Sequence, residues 1–344
     1  MKKIRIVQIG VGHDHAQGNF GSFARHGELF DLIGYVRLPD EDEMFAENSW
    51  QYEDFKEYSI EEALAMTDLD AVSVETSDWN LVKYAQMFAD KGLHVFMDKP
   101  GSQETEDFER LMSTMKRTGK VFAIGYMYRF NDAVVKAIAD AKGGRLGKIF
   151  SVEGQMSCDH GTQKRQWLDH FKGGMMAFLG CHLVDLVYSI MGVPEEIVPF
   201  NMCTGIFGVS SEDFGMAIMR YKDGAAFIKT VAGEVFAFER RQLVITGSLG
   251  TIEIKPIEWY VKGTPNLYSR VRECIRQEEP DWNAVGDVHE TDAKNRYDAM
   301  IEDFAQRING KGMDEGTLER EARVHRLWLA ACGVECDWKA EITL

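Results

Sequence analysis

The chain has 344 residues, 55 of them acidic and 39 Lys or Arg, giving a formal net charge of −16 at pH 7. A surplus of that sign repels phosphate backbones, which excludes a general nucleic-acid-binding role. With 45% hydrophobic and 27% charged residues the composition is that of a folded globular chain, long enough for two domains. No stretch approaches the roughly 18 apolar residues of a membrane span. The opening MKKIRIVQIGVG is interrupted by Arg5 and Gln8 and does not read as a signal peptide. Six cysteines without a C-x-x-C unit argue against a zinc ribbon or a disulfide framework and for a cytoplasmic setting.

Strand and helix patterns alternate through the first third. Ile4 to Ile9, Leu32 to Val36, Ala71 to Val74, His94 to Met97 and Val121 to Ile124 read as strands. Between them, Leu81, Tyr84, Ala85 and Phe88 have helical spacing and stop at Gly92. Phe108, Leu111, Met112 and Met115 follow an acidic first turn and end before Gly119. This alternation predicts right-handed βαβ units on a parallel sheet, a Rossmann-type α/β domain over residues 1–124.

Beyond Gly125 the pattern changes. A helix over Ala133 to Ala141 and a strand near Ile149 to Gln155 precede a helix over Met176 to Met191. Strands at Phe214 to Tyr221, Ala225 to Val235, Gln242 to Thr246 and Thr251 to Ile254 come next, and helices around Tyr297 to Phe304 and Leu318 to Cys332 follow. Short turns such as Lys222-Asp223-Gly224 suit hairpins, so residues 125–344 are expected to form an α+β domain with a large, mostly antiparallel open sheet. One face of such a sheet needs a cover, and a homodimer or homotetramer would supply it.

Gly10-Val11-Gly12-His13-Asp14-His15 follows the first strand. In a dinucleotide turn the first glycine permits the bend, the second lets backbone approach a pyrophosphate, and the helix N-terminus offers N–H donors. His15 occupies the third glycine position. At the end of the second strand, where NAD-binding chains carry an acid, stands Arg37. Either Arg37 meets the 2′-phosphate of NADP, or it is a surface residue and Asp40 or Glu41 contacts the ribose. Asp98-Lys99-Pro100 lies at the carboxyl end of the fourth predicted strand, where open α/β sheets bind ligands. In Gly180-Cys181-His182-Leu183-Val184-Asp185, His182 and Asp185 share a helical face, as an imidazole and its orienting carboxylate would.

Together these motifs resemble the glucose–fructose oxidoreductase / inositol dehydrogenase (Gfo/Idh/MocA) family. The resemblance rests on Gly10-x-Gly12, on Asp98-Lys99-Pro100 in place of Glu-Lys-Pro, on Gly125-Tyr126-x-Tyr128-Arg129-Phe130-Asn131, and on Gly180-x-His182-x-x-Asp185. It implies a Rossmann domain, a second domain with an open sheet, and NAD- or NADP-dependent oxidation or reduction of a sugar, glycoside or cyclitol. Cofactor contacts are expected from Gly10, Gly12, His13, His15, Arg37, Thr76, Asp98 and Lys99. Substrate contacts are expected from Arg129, His160, Trp167 and His182. Trp167 is either a sugar-stacking wall or the anchor of an exposed loop.

The implied catalytic residues are Lys99, His182 and Asp185. The family's usual aspartate, four residues before the histidine, is Phe178 in this chain, and a phenylalanine cannot stabilise an imidazolium. Lys99 therefore becomes the expected proton acceptor, because desolvation favours a neutral lysine. Two alternatives stay open: an NAD-dependent glycosidase or lyase working through a transient keto-sugar, and a non-catalytic nucleotide-binding protein. No metal is expected, since His160, His170, His182 and Asp185 lack tight ligand spacing.

Overall fold

The computed structural model describes residues 2–42, 44, 50–277 and 281–344. It divides into two compact units. The first comprises Met1–Met127, Tyr297–His325 and Glu341–Leu344, and the second Tyr128–Arg296 and Arg326–Ala340.

In the first unit β1 (Ile4–Ile9), α1 (Ala16–Arg25), β2 (Phe30–Val36), β3 (Lys56–Tyr58), α2 (Ile60–Ala65), β4 (Ala71–Val74), α3 (Leu81–Asp90), β5 (His94–Met97), α4 (Thr105–Thr118) and β6 (Phe122–Ile124) alternate along the chain. The strands form one parallel sheet in the order β3-β2-β1-β4-β5-β6, the doubly wound arrangement the alternation predicts. Crossing from β1 to β4 reverses the strand order, and that switch point is where such sheets open a crevice for ligands. Strand β3, polar and three residues long, was not anticipated by the strand pattern. Phe20 on α1 packs its ring on Tyr52 at 4.6 Å and Phe55 at 4.8 Å, with Tyr35 4.7 Å from Tyr52, which seats α1 beside the end of β2.

The late segment α8 (Asp298–Gln306) packs with this unit, although sequence grammar assigned everything after residue 124 to the second domain. Phe304 meets Phe96 of β5 at 5.8 Å, and Asp298 accepts hydrogen bonds from Ser22 and Arg25 of α1.

The second unit holds α5 (Asp132–Lys142), β7 (Ile149–Gln155), α6 (Thr162–Trp167), α7 (Cys181–Met191), β8 (Glu196–Met202), β9 (Phe214–Tyr221), β10 (Gly224–Val231), β11 (Gln242–Gly247) and β12 (Gly250–Ile254). They are followed by β13 (Trp259–Tyr260), β14 (Asn266–Tyr268), β15 (Arg270–Ile275), β16 (Asp287–Glu290) and β17 (Lys294–Asn295). Its large sheet runs β16-β15-β12-β11-β7-β10-β9-β8 and is antiparallel except between β7 and β10. Helices α5 and α7 pack on one face. Register aligns Phe227, Ile218 and Val198 across β10, β9 and β8 on the other face, where they are 43%, 37% and 36% exposed. Strand β10 ends at Val231 rather than continuing to Val235: Gly233 is bridged to Asp159 and lies against Arg165, and Phe236 adopts a left-handed φ of 64°. Helix α9 (Thr317–Ala331) ends the chain's regular structure.

Candidate active site

The turn after β1 has the backbone that its two glycines predict. Gly10 takes a φ of 92°, and a Cβ there would lie 2.7 Å from Thr76 and from the Glu41 carboxylate, so only glycine fits. Gln8 donates to the Gly10 carbonyl at 3.0 Å and steadies the bend. Glu41 Oε1 accepts the amide N–H groups of Val11 at 2.6 Å and Gly12 at 2.8 Å, while its Oε2 accepts that of Leu38. Burial pushes this carboxyl above its ordinary range, and the three amides oppose the shift. Of the two open readings at the end of β2, the geometry therefore brings Glu41 to the turn. Asp40 instead meets Lys83 and Tyr84. Arg37 lies over the Tyr35 ring at 5.7 Å and 3.6 Å from Glu57. Close helix approach, the usual work of a third glycine, falls to Gly18, where a Cβ would meet the Tyr297 ring.

The side chains of His13 and His15 turn inward. They are 2% and 8% exposed, and their rings stand edge to face 5.1 Å apart. His13 Nε2 is 3.1 Å from the Lys99 carbonyl, and His15 Nδ1 is 3.1 Å from Asp98 Oδ2. Asn19 bridges Glu75 and Asp98, donating to both. Lys99 is fully buried at the end of β5, its amide donating to Asp98 Oδ1 at 2.6 Å. Burial and the neighbouring Asp98 push Glu75 well above the carboxylate range. Burial would raise Asp98 too, but the two imidazoles hold it far below. Among the described residues His13, His15 and Asp98 form a group with metal-ligand spacing, their ligand atoms all within 4.8 Å of one another. Spacing in the second domain had given no reason to expect one.

In the second unit the helix expected over 176–191 is two helices. Met176–Gly180 forms one turn of π-helix before α7. Gly180 closes it, with the flexible Met176 side chain packed over the space where a Cβ would stand. The turn carries Phe178, whose ring meets Trp167 at 5.5 Å, His160 at 6.3 Å and the Lys164 ammonium at 5.1 Å. Trp167 is only 4% exposed and packs on Phe171 as well, so it anchors the segment from within. His160 lines an open cleft of about 390 Å³ with Cys158, Phe236, Phe238 and Trp259. His182 is buried with its ring edge-on to Tyr128 at 5.0 Å. Asp185 receives Arg129 through both carboxylate oxygens, at 2.8 and 2.9 Å.

Residues 4–126 match the family model described as the oxidoreductase family, NAD-binding Rossmann fold, and residues 140–332 match the model of its C-terminal alpha/beta domain. The chain belongs to the Gfo/Idh/MocA oxidoreductase family. It is 25% identical over 169 residues to D-xylose 1-dehydrogenase (NADP(+)) 2 of Haloferax volcanii, a match covering 48% of this chain and 51% of that relative. The chain thus spans about half the length of that relative. It is 23% identical over 266 residues to 2,7-anhydro-N-acetylneuraminate hydratase of Mediterraneibacter gnavus, covering 74% of this chain and 68% of that one. The solved structure of a levoglucosan dehydrogenase in complex with NADH and L-sorbose has the same fold, with a TM-score of 0.78 at 16% identity over 96% of both chains.

Within this Gfo/Idh/MocA frame, the first unit gathers His13, His15, Asp98 and Lys99, and the second gathers His160, Trp167 and Phe178. Sequence reasoning missed Glu75 and Asp78. An acidic residue closing the apolar run Ala71 to Val74 was the available cue, because a carboxylate at the end of a buried strand needs partners.

The Arg129–Asp185 contact gives a stability test. Asp185 is almost wholly buried and Arg129 pairs with it through both carboxylate oxygens, so Arg129→Met removes a charge partner from a buried carboxylate. A double-mutant cycle with Asp185→Leu, read by urea denaturation, is expected to give a coupling of about 1–3 kcal/mol. Additive single effects would show that the pair is not coupled.

Proposed function

We propose that this protein is an NAD-dependent oxidoreductase acting on a secondary hydroxyl or ketone of a sugar, glycoside or cyclitol. The observation that carries the reading is the β1 turn with Glu41 seated on it. Gly10 and Gly12 give the close backbone approach a dinucleotide needs, and the Glu41 carboxylate, which here takes the Val11 and Gly12 amides that a pyrophosphate would use, is close enough to swing off them and accept ribose hydroxyls. The same carboxylate repels a 2′-phosphate, and Arg37 is occupied with Tyr35 and Glu57, which favours NAD over NADP. The bound nicotinamide would supply or accept the hydride. Lys99, buried in the first unit beside Asp98, is the group proposed to hold and return the proton of the reacting hydroxyl. His182 is the hydrogen-bonding imidazole of the second unit, with Tyr128 fixing its plane. Asp185 acts through Arg129 as a positioning residue.

A second reading is favoured by Phe178: with no aspartate to support an imidazolium, a redox-neutral elimination or hydration through a transient keto-sugar becomes accessible, and the hydratase relative is in keeping with it. A cytoplasmic setting fits six free thiols and the absence, among the described residues, of a helix long and apolar enough to cross a membrane. We also propose that a second copy covers the outer sheet face bearing Val198, Ile218 and Phe227, forming a homodimer or a tetramer built from dimers.

Three measurements test these readings. Glu41→Ala is expected to weaken NAD binding, followed by nicotinamide fluorescence, about tenfold or more, the value of hydrogen bonds to a charged group. Its NADP affinity should rise or hold, and a parallel loss for both nucleotides would reject the assignment. Lys99→Met should lower kcat by about 10²–10⁴ with nucleotide affinity nearly unchanged, and full turnover would remove Lys99 from the chemistry. In the same assay on a panel of sugars, product formation without net cofactor reduction selects the second reading. Phe227→Glu should convert the solution species to a monomer by light scattering, whereas a wild-type mass equal to one chain would overturn the interface.

A further inference from the structure

Oxidising a secondary hydroxyl to a ketone releases a hydride, which takes both electrons to the nicotinamide, and one proton, which the proposed reading gives to Lys99. Lys99 must shed that proton before the next turnover, yet it is fully buried. The titratable side chains gathered at the same strand ends are nearly all as closed. His13, Glu75 and Asp78 have no side-chain exposure and Asp98 has 1%, whereas His15 keeps 9%. Of these groups, His15 is the one with an outlet to water.

The hydrogen bonds separate the two imidazoles. His13 Nε2 lies 3.1 Å from the Lys99 carbonyl, which only accepts, so it bears the ring proton, and His13 Nδ1 accepts the His15 amide at 3.1 Å. Both nitrogens of His13 are committed to holding backbone. His15 is arranged the other way round. Its Nδ1 lies 3.1 Å from Asp98 Oδ2 and 3.3 Å from Oδ1, and an ionised carboxylate only accepts, so Nδ1 bears the proton and Nε2, across the ring, has the lone pair. Asp98 is itself fixed: Asn19 donates to Oδ2 at 3.0 Å and the Lys99 amide to Oδ1 at 2.6 Å, and Gly125 leaves the room, since a Cβ there would stand 2.6 Å from Oδ1. The Tyr297 ring lies against His15 at 5.8 Å.

We propose that Asp98 and His15 form an acid–base pair in which His15 Nε2 carries the reaction's proton between Lys99 and solvent. The inference rests on the oxidoreductase reading. An N–H bond on Lys99 breaks as one forms on His15 Nε2, water then takes that proton, and Nδ1–H stays on Asp98 throughout; no electrons move in either transfer, and ketone reduction runs them backwards. The surroundings keep the ring neutral between turnovers. Burial disfavours a second proton on it, Asp98 opposes that effect, and Lys99 and His13 add to it. Its position as N-cap of α1, at the positive end of the helix dipole, works in the same direction as burial. Once Lys99 has given up its proton, its repulsion is gone while the attraction of Asp98 remains, so the charge is admitted only when it has come from Lys99. The pair also supplies, within the first unit, an aspartate–imidazole couple of the kind that Phe178 removes from the second.

Two measurements on the full chain test the pair. In ligand-free protein labelled with ¹⁵N at histidine, two-bond ¹H–¹⁵N correlation spectra should show His15 in the Nδ1–H form, the minor tautomer of free histidine, with the signal assigned by its loss in His15→Asn. A His15 ring protonated at Nε2 alone overturns the pair whatever the turnover. In the second measurement, at saturating NAD with a sugar that the wild type oxidises, His15→Asn should lower kcat about tenfold or more, because its amide keeps a donor for Asp98 but has no nitrogen to protonate. His15→Ala should lose as much and recover most of it when imidazole is added, with far-ultraviolet circular dichroism showing that both variants have folded. Full kcat in His15→Asn, or a deficit in folded His15→Ala that imidazole leaves unchanged, overturns the relay. A wild-type chain with the Nδ1–H ring that binds no NAD and oxidises no sugar overturns the oxidoreductase reading, and the relay falls with it.

Discussion

Neutralising Asp98 organises the carboxyl edge of the first unit. The residue ends β5 at full burial, where an ionised carboxylate survives only with charged or hydrogen-bonded partners on every side. His13 and His15 come from the β1 turn, Asn19 from α1, and the amide of Lys99 from the next residue. This accounts for the histidine at the third glycine position, which looks like a defect in a dinucleotide turn when read along the chain alone. The position gives up a small side chain and gains in His15 a hydrogen-bond partner for Asp98, while Gly18 three residues on restores close packing of the helix. It also fixes Lys99, whose backbone is clamped at its carbonyl by His13 and at its amide by Asp98.

The second unit handles buried acids differently. Asp185 is paired with Arg129, Asp213 with Arg165, and Glu258 with both Arg241 and Arg296. Glu258 also accepts the Tyr128 hydroxyl at 2.6 Å, which draws a tyrosine of the family motif into the same network. Guanidinium groups do not release protons at any working pH, so these pairs are permanent struts. In the first unit the partners are imidazoles, a lysine and a protonatable Glu75, all able to change charge. Burial lowers the pKa of His15. It works against the charged form of His13 as well, yet Asp98 and Asp78 carry His13 above its usual value, so neighbouring rings respond oppositely. Among these buried acids, the ones whose partners can change charge are therefore those at the carboxyl edge of the first unit. Replacing the family's aspartate with Phe178 removes one more exchangeable group from the second unit.

Local pattern was enough to place most elements and the two-part architecture. β1, β4 and β5 follow apolar runs closed by turn residues, and α4 ends at Gly119, with a φ of 65°. Elements whose stability comes from distant partners escaped it. β3 is Lys-Glu-Tyr and exists because β2 offers it an edge. The break of β10 at Val231 depends on Arg165, far away in sequence. Helix α8 joins the first unit through a ring contact with Phe96, which no periodicity of its own encodes. At the site the same division holds. Glycine spacing and Asp98-Lys99-Pro100 stand out as short motifs, whereas Glu75 and Asp78 acquire meaning only when parallel pairing sets the end of β4 beside those of β1 and β5.

Glu41 shows why counting residues from a strand end is an incomplete guide to cofactor recognition. The acid that matters is whichever carboxylate reaches the N–H groups of the turn, and the chain past Arg37 bends so that Glu41 Oε2 caps Leu38 while Oε1 meets Val11 and Gly12. Four residues of extra loop cost little entropy compared with three hydrogen bonds to a charged acceptor. The arrangement also bears on the net charge of −16. An acidic protein gains nothing from long-range attraction of a nucleotide, and placing one more carboxylate at the turn would make matters worse if the ligand presented a phosphate there. It is tolerable where the ligand presents hydroxyl donors. In the proposed reading the sign of the charge at that one position would discriminate between nucleotides through contacts of a few ångströms, which salt screens far less than it screens the field of the whole molecule.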